Sequence, residues 1–505
     1  MPSMPDRATA VSLRSVLPQA RFLGGSDIEV ASCSTNASTC RPGDLFVAMV
    51  EAEHDGHEQV AEAIERGARG VLAERLVPAS VPTCLVRDTR IAHGLLCHAL
   101  SGQPSEQLRI AGISGSNGKT VTAHLLSAIL RQARLGNGLI SNLSAVSPYS
   151  PSFDDATPPA FELAQSLRRV SLLGHSHAVV EVSSASLASR RTAGLMLDAA
   201  IVTNVRRDHA NEHGSMLQYR SIKARLFEHL KPGGFAVVNT DDPVSSQLIG
   251  HLKHPVLTIG MRSDAEISAE VLERCESEQT FLMQIGPETI PVCTSMIGDH
   301  HVYNCLAATA VALAWGVDVN TIVRGLESVA SLPGRLERIG CGQSFNVFVD
   351  SARTPDALTA ALRSVRQVTR GRVIVVLGAE GERNSDLRPQ LGRVIEKLAH
   401  VRVLTSDNPR QEEPLEIVHG ILDGFQRPGQ ALVRPDRLAA IDWALQQARP
   451  GDSVVIAGKG DAKFQEVGSR RLEWDDREIA RQWLYNQPQA EAPTTTSRPS
   501  LRIFG

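Results

Sequence analysis

The 505-residue chain is 42% hydrophobic and 21% charged, with a formal net charge of −3. That is the balance of a globular protein of roughly two to four domains, and it argues against nucleic acid or a membrane surface as general partners. No window approaches the roughly 18 uninterrupted apolar residues of a membrane span. The eight cysteines are scattered, with no Cys-x-x-Cys pair and no Cys/His metal spacing. They therefore read as reduced and the protein as cytoplasmic, the alternative for one pair being a Cys33–Cys40 disulfide.

The start of the chain is broken by Pro2, Pro5 and Pro18 and has no apolar core, unlike a signal peptide. Residues 1–107 read as a small N-terminal α/β domain, with strands at Gly43–Val50 and Gly70–Ala73, a helix at Val60–Arg66 and a linker at Gly102–Ser105. From 108 to 333, apolar segments at Arg109–Ile113, Ala178–Val182, Ala199–Val202 and Phe235–Asn239 alternate with helical runs, which predicts a mostly parallel sheet. Leu332-Pro333-Gly334 is the next break. Beyond it Val347–Asp350, Val373–Leu377, Val401–Thr405 and Ser453–Ala457 alternate with helices again, so 334–485 reads as a Rossmann-like domain without a Gly-x-Gly-x-x-Gly loop. The Gln-, Pro- and Thr-rich residues 486–505 read as a disordered tail. The fold class expected is α/β, in three domains.

At the head of the middle segment stands Ile113-Ser114-Gly115-Ser116-Asn117-Gly118-Lys119-Thr120, between an apolar strand and the helical run Val121–Leu130. A strand, a glycine turn and Gly-Lys-Thr at a helix start is how a chain holds a polyphosphate. Backbone N–H groups cradle the phosphates, Lys119 neutralises them and the Thr120 hydroxyl faces Mg²⁺. The first glycine of the usual spacing is replaced by Ile113, so this is a shortened, P-loop-type turn. The bland reading is a glycine turn that presents a surface lysine.

Two further strand ends carry metal-binding side chains: Glu181 in Val179-Val180-Glu181-Val182, and His209 after Thr203-Asn204-Val205-Arg206-Arg207-Asp208. Strand C-terminal ends face the crevice in which α/β sheets bind ligands, and a carboxylate there suits Mg²⁺. Only seven of the 52 basic residues are lysines, Lys119, Lys223 and Lys459 among them. A lysine here is more apt to stand where an amine is required, because arginine cannot lose its proton or react. By composition alone Lys223, in Tyr219-Arg220-Ser221-Ile222-Lys223-Ala224-Arg225-Leu226-Phe227, is equally a solvated helical lysine.

Eight motifs follow one another in order: Gly115–Thr120, Glu181-Val182-Ser183-Ser184, Asp208-His209, Lys223 with Ala224-Arg225-Leu226-Phe227, Asn239-Thr240-Asp241-Asp242-Pro243, Tyr303-Asn304, Pro333-Gly334-Arg335-Leu336-Glu337 and Thr405-Ser406-Asp407-Asn408-Pro409-Arg410. Over about residues 20–480 this series resembles the Mur ligase family, in particular its members that add the third residue of the peptidoglycan stem peptide. The resemblance implies a UDP-sugar domain at 1–107, an ATPase domain at 108–333 and an amino-acid domain at 334–485, in a monomer acting on small molecules. It implies that the D-glutamate carboxylate of UDP-N-acetylmuramoyl-L-alanyl-D-glutamate takes the γ-phosphate of ATP, and that an amine then displaces phosphate to leave an amide.

The resemblance further implies catalytic roles for Lys119, Lys223 and His209. Nucleotide contacts would come from Gly115, Ser116, Asn117, Gly118, Lys119, Thr120, Asn304, Arg335 and Asp350. Mg²⁺ would be held through Thr120, Glu181, His209 and a carbamylated Lys223. Thr157, Pro158, Ser184 and Arg191 match positions for the UDP-muramoyl dipeptide, and Arg383, Asp407, Asn408, Arg410 and Gly458 match positions for the incoming amino acid. Arg410 resembles the arginine of enzymes that use meso-2,6-diaminopimelate, whose distal carboxylate an Arg fork binds bidentately. The family's Gly-Lys-Gly-His-Glu reads Gly458-Lys459-Gly460-Asp461-Ala462 here, so Asp461 is the substitute available for the missing glutamate. A different amine such as L-lysine, or a Mur-like binding protein without catalysis, are the competing readings.

Overall fold

The computed structural model describes residues 10–51, 54–143, 156–206 and 216–486. It divides into two compact units, one of Met1–Glu270, Phe281–Val292 and His300–Val329, the other of Val271–Thr280, Cys293–Asp299 and Ala330–Gly505.

The first unit begins with a five-stranded sheet in the order Arg21–Leu23, Thr83–Leu85, Gly70–Ala73, Leu45–Val47, Cys33–Ser34. The strand expected over Gly43–Val50 is only Leu45–Val47, because Gly43 turns at φ +95° and Met49 is used by a loop contact from Gly56 N–H at 2.7 Å. The expected linker at Gly102–Ser105 is a correction. Pro104–Gln107 forms a helical turn with Pro at its first position, and Ser105 is buried, its Oγ accepting from Met196 N–H at 3.3 Å.

A second sheet of the same unit runs Asn137–Ile140, His177–Glu181, Arg109–Ser114, Leu197–Val202, Leu230–Asn239, Val256–Gly260, every neighbouring pair parallel. Strands covered on both faces read as continuous apolar runs, which is why the sequence located four of them. Leu108, Ile110, Val180, Ala200, Val202, Val238 and Tyr219 share one core on one face. Strands at Ile267–Arg274, Gln279–Ile285 and Glu288–Thr294 were not anticipated. They are half-exposed and mix apolar with polar residues: Ile267 and Ala269 are buried while Glu270 is exposed, so no long apolar run marks them.

In the second unit the order is Glu337–Arg338, Asn346–Asp350, Ser453–Ala457, Val373–Leu377, Val401–Leu404, Ala431–Val433. All pairs are parallel except the first. Helices Pro355–Val368 and Arg388–Leu398 give their apolar side chains to one core and Arg437–Gln447 to a second, so the sheet is wound on both faces. No helix among the described residues is long and apolar enough to cross a membrane.

Candidate active site

The central strand Arg109–Ser114 delivers the chain into Gly115–Gly118, and Lys119–Gln132 is the helix that follows. Gly115 and Gly118 hold φ of +148° and +89°. A Cβ would lie 1.9 Å from Thr203 Oγ1 at Gly115 and 2.3 Å from Asn304 Oδ1 at Gly118, so both positions require glycine for conformation and for space. The next strand end fastens the turn. Ser116 N–H donates to Asn204 O at 2.9 Å, Asn117 N–H donates to Asn204 Oδ1 at 3.0 Å, and Thr203 Oγ1 donates to Asn117 O at 2.6 Å. Thr203 and Asn204 were quoted in the sequence only as the approach to His209. Their part in shaping the loop spans more than 80 residues and leaves no local signal.

Lys119 Nζ folds back onto Gly115 O at 3.0 Å and Ser116 O at 3.2 Å. Thr120 Oγ1 lies 3.0 Å from each oxygen of Glu181, and both residues are buried. Lys223, on the helix Met216–Ala224, is 1% exposed, with Nζ 2.9 Å from Gly115 O and 3.2 Å from Ser114 Oγ. The reading of Lys223 as a solvated helical lysine is therefore excluded. Tyr219, one turn earlier, joins Ser116 Oγ at 2.9 Å. Lys119, Thr120, Glu181 and Lys223 thus surround one glycine turn. His209 lies outside the described residues. Asn304 is 3% exposed and accepts from Thr122 Oγ1 at 3.3 Å, while its Nδ2 is buried without a partner.

Thr157 is fully buried and bridges to the same strand end. Its hydroxyl donates to Glu181 O at 2.9 Å and accepts from Ser183 N–H at 2.8 Å. Pro158 follows it, Ser184 opens the short helix Ser184–Ala188, and Arg191 Nε donates to Ser189 Oγ at 3.0 Å.

In the second unit Asp407 and Lys459 form a buried ion pair at 3.1 Å. Burial pushes the Asp407 carboxyl up, but Lys459, Arg437 and Arg353 beside it hold it below the usual range. Lys459 Nζ also donates to Asn408 Oδ1 at 2.7 Å. Gly458 has φ +109°, and a Cβ there would meet Asp407 Oδ2 at 2.7 Å. Glu380 is shared by Arg353 at 3.1 Å and Arg383 at 3.2 Å, with Asn408 Nδ2 at 3.4 Å. Arg410, at φ +54°, pairs with Glu466 at 3.1 Å. Glu380, Arg353, Lys459 and Glu466 were not chosen as site residues from the sequence. Lys459 was visible as a rare lysine; the others are ordinary charges until the fold pairs them.

Asp461, expected as the substitute carboxylate for Ala462, is engaged by Arg335 at 2.9 Å. Asp350 accepts from Leu336 N–H at 2.7 Å and Ala352 N–H at 2.9 Å. Burial nevertheless pushes its pKa up to about 6, against those donors and Arg335. With the native value above the unfolded ~3.9, this carboxyl favours the fold while protonated. That contribution is complete below ~3.9 and lost as pH rises through about 6. Asp350→Asn removes the dependence: the Tm of wild type relative to the variant should fall between pH 4 and 6.5, and a flat difference would refute the assignment.

The model of the Mur ligase middle domain matches residues 113–312, and that of the Mur ligase glutamate ligase domain matches 334–460. The UDP-N-acetylmuramoyl-L-alanyl-D-glutamate–2,6-diaminopimelate ligase of Geobacillus thermodenitrificans is 36% identical over 478 residues, 93% of this chain and 98% of that protein. A solved structure of a ligase of the same name is similar at a TM-score of 0.69 and 26% identity, over 94% of this chain and 99% of that one. The MurF ligase of Thermotoga maritima, solved in complex with ADP, shares the fold at a TM-score of 0.61 and 19% identity, over 90% and 98%.

Proposed function

Since the chain belongs to the Mur ligase family, we propose that it is an ATP-dependent ligase joining meso-2,6-diaminopimelate to UDP-N-acetylmuramoyl-L-alanyl-D-glutamate, in the cytoplasm, as a step of peptidoglycan precursor synthesis. The observation that carries this reading is the glycine turn ringed by Lys119, Thr120, Glu181 and Lys223, in a chain 36% identical to a ligase of that name over almost its full length.

The reaction brings two anions together, so it needs concentrated positive charge. A D-glutamate carboxylate oxygen bonds to the γ-phosphorus as the bridge to ADP breaks. The amine then bonds to the acyl carbon, the C–O bond breaks, phosphate leaves and the amine loses a proton. The turn's N–H groups and Lys119 hold the phosphates. The buried, unpartnered Nδ2 of Asn304 fits an acceptor nitrogen of adenine. Thr120 Oγ1 and Glu181 offer the hard oxygen donors that Mg²⁺ takes, and His209 and a carbamylated Lys223 complete the set. The metal supplies charge neutralisation on the transferring phosphoryl group when bound. Carbamylation fits Lys223 in kind: the ammonium gives up one proton, CO₂ bonds to the amine nitrogen as a second proton leaves, and a cation becomes a carboxylate-like ligand.

Residues 1–107 serve the UDP-sugar, 108–333 the nucleotide and 334–485 the amino acid in this reading. Thr157, Pro158, Ser184 and Arg191 position the muramoyl dipeptide. Arg335 and Asp350 serve the nucleotide, and Arg383, Asp407, Asn408, Arg410 and Gly458 the diamino acid. Arg410 exchanges Glu466 for the distal carboxylate. A second reading is a ligase for another amine, L-lysine or other; the engagement of Asp461 with Arg335 beside Ala462 takes up the one carboxylate of that motif that could meet a distal ammonium, a group that both diaminopimelate and L-lysine carry. The test supplies ATP, the UDP-dipeptide and each amine in turn, with phosphate release and product mass as readouts. Release that meso-diaminopimelate stimulates well beyond L-lysine is expected. The reverse order establishes the second reading, and no stimulation by either removes the ligase assignment.

A further inference from the structure

Away from the nucleotide turn, the fold assembles a group that the scattered cysteines did not suggest. Cys33 stands on the edge strand Cys33–Ser34, while His93 and Cys97 are one turn apart on the helix Thr89–Leu100. Positions i and i+4 share a helix face. Cys97 Sγ lies 3.3 Å from His93 Nε2, and the three ligand atoms all lie within 4.8 Å of one another. Cys97 is fully buried and Cys33 and His93 half-buried. None of the eight cysteines is in a disulfide, so the Cys33–Cys40 bridge is not formed. Reading "no Cys/His metal spacing" from the sequence overlooked the His-x-x-x-Cys pair, because its third member is 60 residues away.

We propose that Cys33, His93 and Cys97 bind one Zn²⁺ through their two sulfurs and the His93 Nε2, with the fourth position open to water. Two thiols and an imidazole are donors for zinc or copper(I), not for the hard cations Mg²⁺ and Ca²⁺. Tetrahedral bonds of about 2.3 Å to sulfur and about 2.0 Å to nitrogen set the ligand atoms roughly 3.5–3.8 Å apart. Cys97 Sγ and His93 Nε2, 3.3 Å apart, are near that spacing, and the remaining separations stay within 4.8 Å. Charge then separates the two metals. Zn²⁺ with two thiolates is neutral, whereas copper(I) with two thiolates leaves an anion against the apolar wall formed by Ala160 and Ala164. Hydrogen bonding from Cys97 draws the Cys33 thiol down, while the same contact and burial push Cys97 up. Ala160 and Ala164 lie on the helix that starts three residues after Thr157. The metal would tie the edge strand of the N-terminal sheet to the helix Thr89–Leu100 that packs there.

The full chain, reduced and stripped with a chelator, is titrated with Co²⁺. One equivalent giving thiolate-to-cobalt charge-transfer bands, abolished by Zn²⁺, is expected. Cys33→Ser and His93→Gln, at half-buried positions, should each lose the bands and the tight equivalent, while Cys275→Ser keeps them. Cys97→Ser joins the set only if its thermal unfolding matches wild type. Absence of the bands in wild type, their persistence in Cys33→Ser, or a Cys33–Cys97 disulfide in protein kept under reductant would each overturn the assignment.

Discussion

Lys223→Ala should lower kcat for amine-dependent phosphate release roughly 10²–10³-fold, the scale on which removal of one preorganised electrostatic group is felt. The side chain is 1% exposed and ends 2.9 Å from a carbonyl of the phosphate turn, a place where a bare ammonium gains little from water and where a carboxylate-like group would help to hold Mg²⁺ beside the phosphates. The carbamate reading separates itself from the alternatives by rescue. Acetate or formate entering the space left by the side chain should restore part of the rate, and depletion of dissolved CO₂ should slow the wild-type enzyme reversibly. Lys223→Arg keeps the charge but cannot form the carbamate, so it should stay inactive and unrescued. Wild-type turnover in Lys223→Ala without additive would end the proposal. A loss that no carboxylate repairs would leave Lys223 acting as a cation or as packing. Matching thermal unfolding curves for wild type and variant keep a folding defect from imitating a catalytic one.

The second large effect is on stability. Arg437 and Asp476 are both fully buried, joined at 2.9 Å and 2.6 Å in a two-pronged contact. Arg437 also donates to Ser406 O at 3.2 Å and Ala457 O at 3.0 Å, and Asp476 accepts from Trp474 Nε1 at 2.8 Å. The pair therefore fixes the two strand ends that carry Asp407, Asn408 and Gly458. Arg437→Met leaves a carboxylate buried without its cation and two carbonyls without their donor. The expected cost is about 3–5 kcal/mol, read from urea denaturation. Because much of that cost is the stranded charge and not the worth of the pair, Arg437→Met combined with Asp476→Leu should recover a large part of it. A loss below ~1 kcal/mol in the single variant, or a double variant no better than the single, would show that water reaches the pair and screens it.

How far the sequence could be read follows from the range of each interaction. The glycine turn was legible because its requirements are local. Gly115 and Gly118 hold positive φ within one hexapeptide, and Lys119 and Thr120 open the helix that follows. The buried parallel strands were legible because both of their faces are covered, so each is a bare apolar run: Val373–Leu377 and Ser453–Ala457 fall at the residues expected. The strands at Ile267–Arg274, Gln279–Ile285 and Glu288–Thr294 were not, since a half-exposed strand mixes polar with apolar residues and carries no long apolar run.

By itself the sequence determined the α/β class, the place of the phosphate turn and the order of the motifs, all consequences of backbone conformation and apolar periodicity over a few neighbouring residues. Tertiary structure alone decided which side chains meet: Thr120 with Glu181 across 61 positions, Arg437 with Asp476 across 39, and Cys33 with His93 and Cys97. It also decided that Asp461 is engaged by Arg335. Such pairings depend on strand order and helix facing, which bring distant residues within a few ångströms. Burial then removes the water that would otherwise make each of those charges and thiols an ordinary surface group.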